Sequence, residues 1–258
     1  MPQATLEKEK IAKIVDLLKR SSSVLFITGA GISADSWLPT YRGKGGIYNN
    51  ETTEEGIPVE SVMAAEMFES KPETTWKYLA KLEERCRGAT FNRAHQVIAE
   101  MEKHFKRLWV LTQNIDGFHY AAGSRNVIDI HGNIHSLRCM HCRWKTRIED
   151  FSEISIPPVC PECNSVVRPD VVFFGEELPL DKVSQMQDEL ANGFDIYFSV
   201  GTTSVFPYIK GPMVYAQHLG RPTVEINPET TEISDIVDIK ISLGAADVLD
   251  AIWKEYNK

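Results

Sequence analysis

Two cysteine pairs, Cys139-x-x-Cys142 and Cys160-x-x-Cys163, are separated by residues 143–159. Four thiolates at this spacing fit a tetrahedral zinc site, and because sulfur closes the coordination sphere, such an ion holds a small domain together and leaves no open position for water. A redox dithiol is the alternative for either pair, and the presence of the second pair speaks against it. His131 is placed to move a proton. It follows the apolar run Val127-Ile128-Asp129-Ile130 and precedes Gly132, a residue that permits close approach, and imidazole titrates near neutral pH. In Thr112-Gln113-Asn114-Ile115-Asp116, an extended backbone would point Asn114 and Asp116 to the same side. An amide beside a carboxylate can hold a ribose and a carboxamide; turn capping is the plainer use of both residues. Gly29-Ala30-Gly31-Ile32-Ser33-Ala34 is a G-x-G-x-x-A turn. Its glycines would let backbone N–H groups approach a pyrophosphate, or would serve only a tight turn.

These residues need a scaffold that brings them to one edge. Ile11, Ile14, Val15, Leu17 and Leu18 recur at helical spacing, so residues 6–20 read as an amphipathic helix leading into the strand Val24-Leu25-Phe26-Ile27. Further short apolar runs stand at residues 108–111, 127–130, 171–174, 196–200 and 223–226, with helical patterns at Ala94 to His104 and Tyr208 to Leu219. Continuously apolar strands alternating with helices predict an α/β fold with a doubly wound parallel sheet. In such a sheet the motifs after residues 28, 111, 130, 200 and 226 all fall at carboxyl ends of strands, where open α/β folds bind ligands. Residues 44–88 and 136–168 break the rhythm and read as a helical insertion and a cysteine module. Together they form a smaller domain, leaving 1–43, 89–135 and 169–258 for the larger one.

With 258 residues, 43% hydrophobic and 25% charged, the chain has the composition of a globular protein that folds throughout. A net charge of -8 disfavours general binding to nucleic acid or anionic membranes and favours a basic protein partner. No apolar run suits a signal peptide or membrane span, and paired cysteines suit metal ligation in a reducing compartment, so the expected location is the cytoplasm. Cys86, the fifth cysteine, reads as a plain helical thiol, and His95, His119, His135 and His141 read as packing or solvent residues.

In their order and spacing, Gly29-Ala30-Gly31-Ile32-Ser33, Pro39-Thr40-Tyr41-Arg42-Gly43, Thr112 to Asp116, His131-Gly132, the cysteine pairs, Arg168 to Glu176 and Gly201-Thr202-Thr203 resemble the sirtuin family from about residue 20 onward. The resemblance implies a Rossmann-like large domain, a small domain of zinc ribbon plus helical insertion, and NAD-dependent deacylation of acyl-lysine proteins with transfer of the acyl group to ADP-ribose. It implies His131 as general base. Gly29, Ala30, Gly31, Ser33, Tyr41 and Arg42 would line the NAD site, and Gln113, Asn114, Ile115 and Asp116 would surround the nicotinamide and its ribose. Gly201, Thr202 and Thr203 would take the adenosine side, Asn227, Pro228 and Glu229 its ribose, and Ala245 or Ala246 the adenine. Val172, Phe174, Gly175 and Glu176 would meet the substrate, and one structural zinc would sit on Cys139, Cys142, Cys160 and Cys163.

Trp37 stands where the family usually has glycine and would put a bulky ring in the cofactor loop; Tyr41 stands for a usual phenylalanine, and Asn164 for a glycine. The tyrosine and arginine three apart that accompany acidic acyl groups in the family find their nearest match in Tyr78 and Lys81, which read as surface helix residues. The alternative activities on the same site are mono-ADP-ribosyl transfer to protein and NAD hydrolysis. A non-catalytic NAD-binding module follows, then a hydride-transfer dehydrogenase, which lacks the expected ribose-binding acid.

Overall fold

The computed structural model describes residues 2–40, 52–53 and 56–258. In chain order the elements are α1 (Pro2–Lys19), β1 (Ser23–Thr28), α2 (Val59–Val62), α3 (Ala65–Ser70), α4 (Pro72–Cys86), α5 (Arg93–Glu102), β2 (Arg107–Thr112), α6 (Phe118–Ala121), β3 (Val127–Asp129), β4 (Gly132–Cys139), β5 (Lys145–Arg147), β6 (Val167–Val171), α7 (Leu180–Ala191), β7 (Ile196–Val200), α8 (Pro207–His218), β8 (Thr223–Ile226), β9 (Ile239–Ile241) and α9 (Ala245–Tyr256).

Six strands form a fully parallel sheet in the order β3-β2-β1-β7-β8-β9. Along β1, alternate side chains feed two cores. Val24 and Phe26 join the cluster under α1, α5 and α9, while Leu25 and Ile27 join the one with Ile209 and Met213 of α8. Phe26 stacks on Phe198 of the neighbouring strand at 4.7 Å. A strand apolar on both faces can be satisfied only by helices on both sides, and that is the arrangement found. Numbered within this sheet alone, the strand order is 3-2-1-4-5-6, so the direction in which successive strands are added reverses between β1 and β7 and opens a crevice at their carboxyl ends.

A second, three-stranded antiparallel sheet, β5-β4-β6, packs with α2, α3 and α4 around Val59, Phe68, Trp76, Leu79, Leu137, Cys139, Cys160, Val167 and Phe173. The Trp76 indole N–H donates to the Val167 carbonyl at 2.8 Å, tying the helical insertion to the cysteine module. This sheet begins at Gly132 and ends at Val171, past both limits of the 136–168 segment.

Two elements differ from expectation, and the turn after β1 takes a form that the spacing left open. The run 171–174 is not a strand of the parallel sheet: β6 ends at Val171, where the pairing of Gly132 with Val171 terminates, residues 172–173 are irregular, and Phe174 makes a single bridge with Ala64. The turn after β1 makes two short 3-10 turns, Ala30–Ile32 and Ala34–Ser36. The sheet also gains β9, whose three residues are too short to announce themselves by periodicity.

Candidate active site

Gly29 to Ser33 lies directly against Gly201 to Thr203 across the β1–β7 crevice. The Gly31 N–H donates to the Gly201 carbonyl at 2.8 Å, and the Gly29 N–H to the Val200 carbonyl at 3.1 Å. A Cβ on Gly31 would stand 2.7 Å from the Gly201 Cα, closer than real Cβ atoms come, so the glycine is demanded by the approach of two backbones. The Gln113 amide donates to the Thr202 hydroxyl at 2.7 Å and closes this floor from the β2 side.

Asn114, Asp116 and Ser33 form one polar cluster. The Ser33 hydroxyl donates to Asp116 Oδ2 at 2.8 Å and accepts from Asn114 Nδ2 at 3.2 Å; Asn114 also donates to the Gly29 carbonyl at 3.2 Å, and the Phe118 N–H donates to Asp116 Oδ1 at 2.9 Å. Burial pushes the Asp116 carboxyl above the usual carboxylate range, against the weaker pull of the bonds from Phe118 and Ser33. Behind them lies His95, fully buried. Its Nδ1 accepts from the Asn92 N–H at 3.3 Å as part of the α5 capping box, and its Nε2 stands 3.5 Å from the Ser33 hydroxyl. Burial drops His95 to about 4. Read in the sequence as a packing residue, it supports the polar cluster from below; its place in Asn92-x-x-His95 was the available signal.

His131 follows β3, and its ring is fixed at both nitrogens. Nδ1 lies 3.0 Å from the Gln113 carbonyl, which can only accept, so Nδ1 carries the hydrogen. In the neutral ring Nε2 is then the acceptor, and the Tyr208 hydroxyl donates to it at 2.7 Å. Gly132, next in sequence, has φ +87° and sits so close to the Asp170 carbonyl that a Cβ would lie 1.9 Å from its oxygen; no other residue fits there. The glycine therefore ties the backbone next to His131 to β6.

A cavity of about 530 Å³ connects these features. It is lined by Gly29, Ala30, Gly31, Gln113, Asn114, Ile115, His131, Val172, Phe174, Gly175, Glu176, Gly201, Thr202, Thr203, Asn227, Pro228 and Glu229, all drawn from the sequence-derived set. A second cavity of about 200 Å³ shares Ala30, Asn114 and Ile115 with it and adds Ser33 and Asp116. Ala245 and Ala246 are not among the lining residues. Ala245 is buried in the core, the Ala246 N–H donates to Asp35 at 3.2 Å, and Gly244 with Asp35 forms the wall instead. Tyr41 and Arg42 lie outside the described residues. Met63, Leu82, Phe206 and Tyr208 line the main cavity without having been read as site residues in the sequence; Tyr78 and Lys81 do not line it. Trp37 has φ 65° and is 95% exposed, so the ring points to solvent and leaves both cavities. Asn164 likewise takes the left-handed conformation, with φ 61°.

One wall is tied to the cysteine module through Arg168, which is 3% exposed. Its guanidinium grips Glu176 at 2.5 and 2.9 Å, donates to the Val171 carbonyl at 2.7 Å and lies 4.3 Å from the Phe173 ring centroid. Burial raises the Glu176 carboxyl, but the bonds from Arg168 and the Phe173 N–H outweigh it and hold the group below its ordinary value.

The four cysteine sulfurs lie within 4.8 Å of one another, with Cys139–Cys163 at 3.4 Å and Cys142–Cys160 at 3.6 Å. A tetrahedron of sulfurs about 2.3 Å from a zinc ion has edges of about 3.8 Å, so the set fits one ion. The His141 and Cys142 N–H groups point at Cys139 Sγ at 3.3 and 3.4 Å, a donor arrangement suited to a thiolate. Glu225, at the end of β8, does not face the crevice: it is fully buried in an ion pair with Lys240 at 2.9 Å and accepts from Thr231 and from Ser234.

The model of the Sir2 family matches residues 29–207. The chain belongs to the Sir2 family. Among Sir2 relatives, the NAD-dependent protein deacylase 2 of Pseudomonas aeruginosa is 44% identical over 245 residues, covering 94% of this chain and 95% of the relative. A solved Sir2 homolog–NAD complex superposes with a TM-score of 0.84 at 33% identity, covering 95% of this chain and 93% of that one. A Sir2 structure with a deacetylated peptide and 3'-O-acetyl ADP-ribose superposes at 0.81 with 29% identity, over 95% and 98% of the two chains. Among the described residues, no helix is long and apolar enough to cross a membrane.

Proposed function

We propose that the protein is an NAD-dependent protein-lysine deacylase that transfers the acyl group to ADP-ribose and releases nicotinamide, working in the cytoplasm. The observation that carries this reading is the convergence of His131, the Asn114–Ser33–Asp116 cluster and the Gly31–Gly201 floor on two cavities that share Asn114, in a chain 44% identical to a relative named an NAD-dependent protein deacylase. The domain limits proposed are 1–43, 89–135 and 169–258 for the large body and 44–88 with 136–168 for the small one.

NAD, when bound, supplies an ADP-ribosyl carbon that accepts the acyl oxygen as nicotinamide departs. Gly29, Ala30 and Gly31 with Gly201, Thr202 and Thr203 would hold its phosphates and adenosine side, since this part of the crevice is floored by backbone and small side chains. Asn227, Pro228 and Glu229 would meet the adenosine ribose. Ser33, Asn114, Ile115 and Asp116 would hold the nicotinamide end in the smaller cavity. His131 accepts a proton at Nε2, and the Gln113 carbonyl, accepting from Nδ1–H, steadies the imidazolium so formed. Val172, Phe174, Gly175 and Glu176 form the wall against which an acyl-lysine peptide would lie. The zinc holds the antiparallel sheet and takes no part in the chemistry.

The deciding experiment follows nicotinamide release from NAD with and without an acetyl-lysine peptide, in the wild type and in His131→Ala. Release that requires the peptide, forms acylated ADP-ribose and loses that product in the variant supports the reading. Release independent of peptide assigns the site to ADP-ribosyl transfer or NAD hydrolysis, and absence of release refutes the enzyme reading.

A further inference from the structure

The one lone pair that His131 has to offer is already in use. With Nδ1–H donating to the Gln113 carbonyl, a neutral imidazole keeps a single acceptor, Nε2, and the Tyr208 hydroxyl donates to it at 2.7 Å. Tyr208 is held there by its own element. Pro207 starts α8 with a preset backbone angle, and the Tyr208 ring stacks on Phe206 with centroids 5.4 Å apart and planes 14° apart. Both rings meet the imidazole edge-on at 6.0 Å, and all three residues line the main cavity. The hydroxyl therefore stands in the cavity at the atom where the proposed base must work.

A lone pair that accepts one short hydrogen bond has no capacity for a second good one. We propose that Tyr208 is a positioning residue that caps His131 Nε2, keeping the ring neutral and aimed into the cavity, and that it is exchanged for a ribose hydroxyl of the co-substrate as that hydroxyl binds. This rests on the deacylase reading above. In the reaction the ribose hydroxyl would pass its proton to Nε2 as its oxygen bonds to the acyl carbon, and Tyr208, which can accept as well as donate, would no longer compete. The cap sets a cost on binding, because the incoming hydroxyl gains only the difference between its own bond and that of Tyr208. Removing a net hydrogen bond from the competing state tightens binding roughly two- to tenfold.

The test uses the full zinc-loaded chain and Tyr208→Phe, which removes one oxygen and keeps the stack on Phe206. Two quantities are read: the ¹⁵N resonance of His131 Nε2, and the Kd for ADP-ribose by titration calorimetry. The expected result is an Nε2 resonance that moves in the variant and also moves in the wild type on adding ADP-ribose, with a Kd lowered roughly two- to tenfold in the variant. An unmoved resonance, or a Kd equal to or weaker than that of the wild type, overturns the proposal. Wild-type protein that binds no ADP-ribose overturns the deacylase reading and this exchange with it, whereas binding without the gain in Tyr208→Phe overturns the exchange alone. If the variant does not fold, the wild-type arm decides: an Nε2 resonance that stays fixed through saturation with ADP-ribose refutes the exchange.

Discussion

Replacing His95 with glutamine should flatten the loss of stability that accompanies mild acidification. His95 is fully buried beneath Ser33, and burial lowers its titration from the ordinary 6.5 to about 4. Between those values the unfolded chain binds a proton at this position and the folded chain does not, so protons favour unfolding. The stability that His95 contributes is thus complete above pH 6.5 and is lost as the pH falls toward 4. At about 1.4 kcal/mol per pH unit the full loss is about 3 kcal/mol, of which about 2 kcal/mol is gone by pH 5. His119, whose ring lies 5.0 Å away, is also pushed down by burial and by His95, so a proton on either ring opposes one on the other. The assay is urea unfolding at pH 7 and pH 5 for wild type and His95→Gln, at fixed ionic strength and zinc. The wild type should lose about 2 kcal/mol more than the variant over that interval. Equal losses, within about 0.5 kcal/mol, would show that the folded protein protonates His95 freely, and would refute the assignment of the acid response to this residue.

Chelating the proposed zinc, or replacing Cys160 with alanine, should unravel the antiparallel sheet while leaving the parallel one, because Cys139 and Cys160 belong to the small core. Metal content and a split of the thermal melt into two transitions check this. Gly132→Ala should cost about 3 kcal/mol or more and abolish activity with it, since the new methyl would collide with the Asp170 carbonyl in a left-handed conformation; differential scanning calorimetry reads the first effect and peptide deacylation the second. The wall made by Met63, Leu82, Ile115, Val171 and Phe173 offers no described cation to an acyl carboxylate. A succinyl-lysine peptide should therefore show kcat/KM at least roughly tenfold below its acetyl counterpart, the equivalent of a small fraction of the cost of burying an unpaired charge. Comparable values for the two peptides would contradict that reading.

The sheet was legible because its central strands β1 and β2 are apolar on both faces: Val24-Leu25-Phe26-Ile27 cannot sit at a surface, and the alternation with helices leaves little choice of architecture. The cysteine module was legible from spacing alone. The run Val171-Val172-Phe173-Phe174 misled, because Val171, Phe173 and Phe174 pack in the small core and the run walls the cavity, and its pairing is with β4 and Ala64 rather than within the parallel sheet. His95 and Tyr208 were hidden for another reason. A histidine three residues into a helix and a tyrosine after a helix-starting proline have ordinary local roles, and only the tertiary fold sets one under Ser33 and the other against His131. Trp37 shows the converse. A bulky residue at a left-handed turn looked obstructive in one dimension, yet the backbone angle that suits glycine also turns the ring outward.

Strand β6 joins two events that seem remote from each other. At one end Val167 pairs with the metal-ligand residue Cys139, and in the next position Arg168 holds Glu176 and the turn that walls the cavity. A peptide that packs on that wall and an ion that packs the cysteine sulfurs therefore bias the same strand. By linkage, whatever factor zinc adds to peptide affinity, bound peptide must add to zinc retention. Peptide in excess should slow the escape of zinc to a chelator, and zinc-depleted protein should be rescued by raising peptide concentration before it is rescued by raising NAD. The metal, closed to chemistry by its four sulfurs, would then act as a governor on substrate capture, and the availability of zinc would be read out as a change in KM.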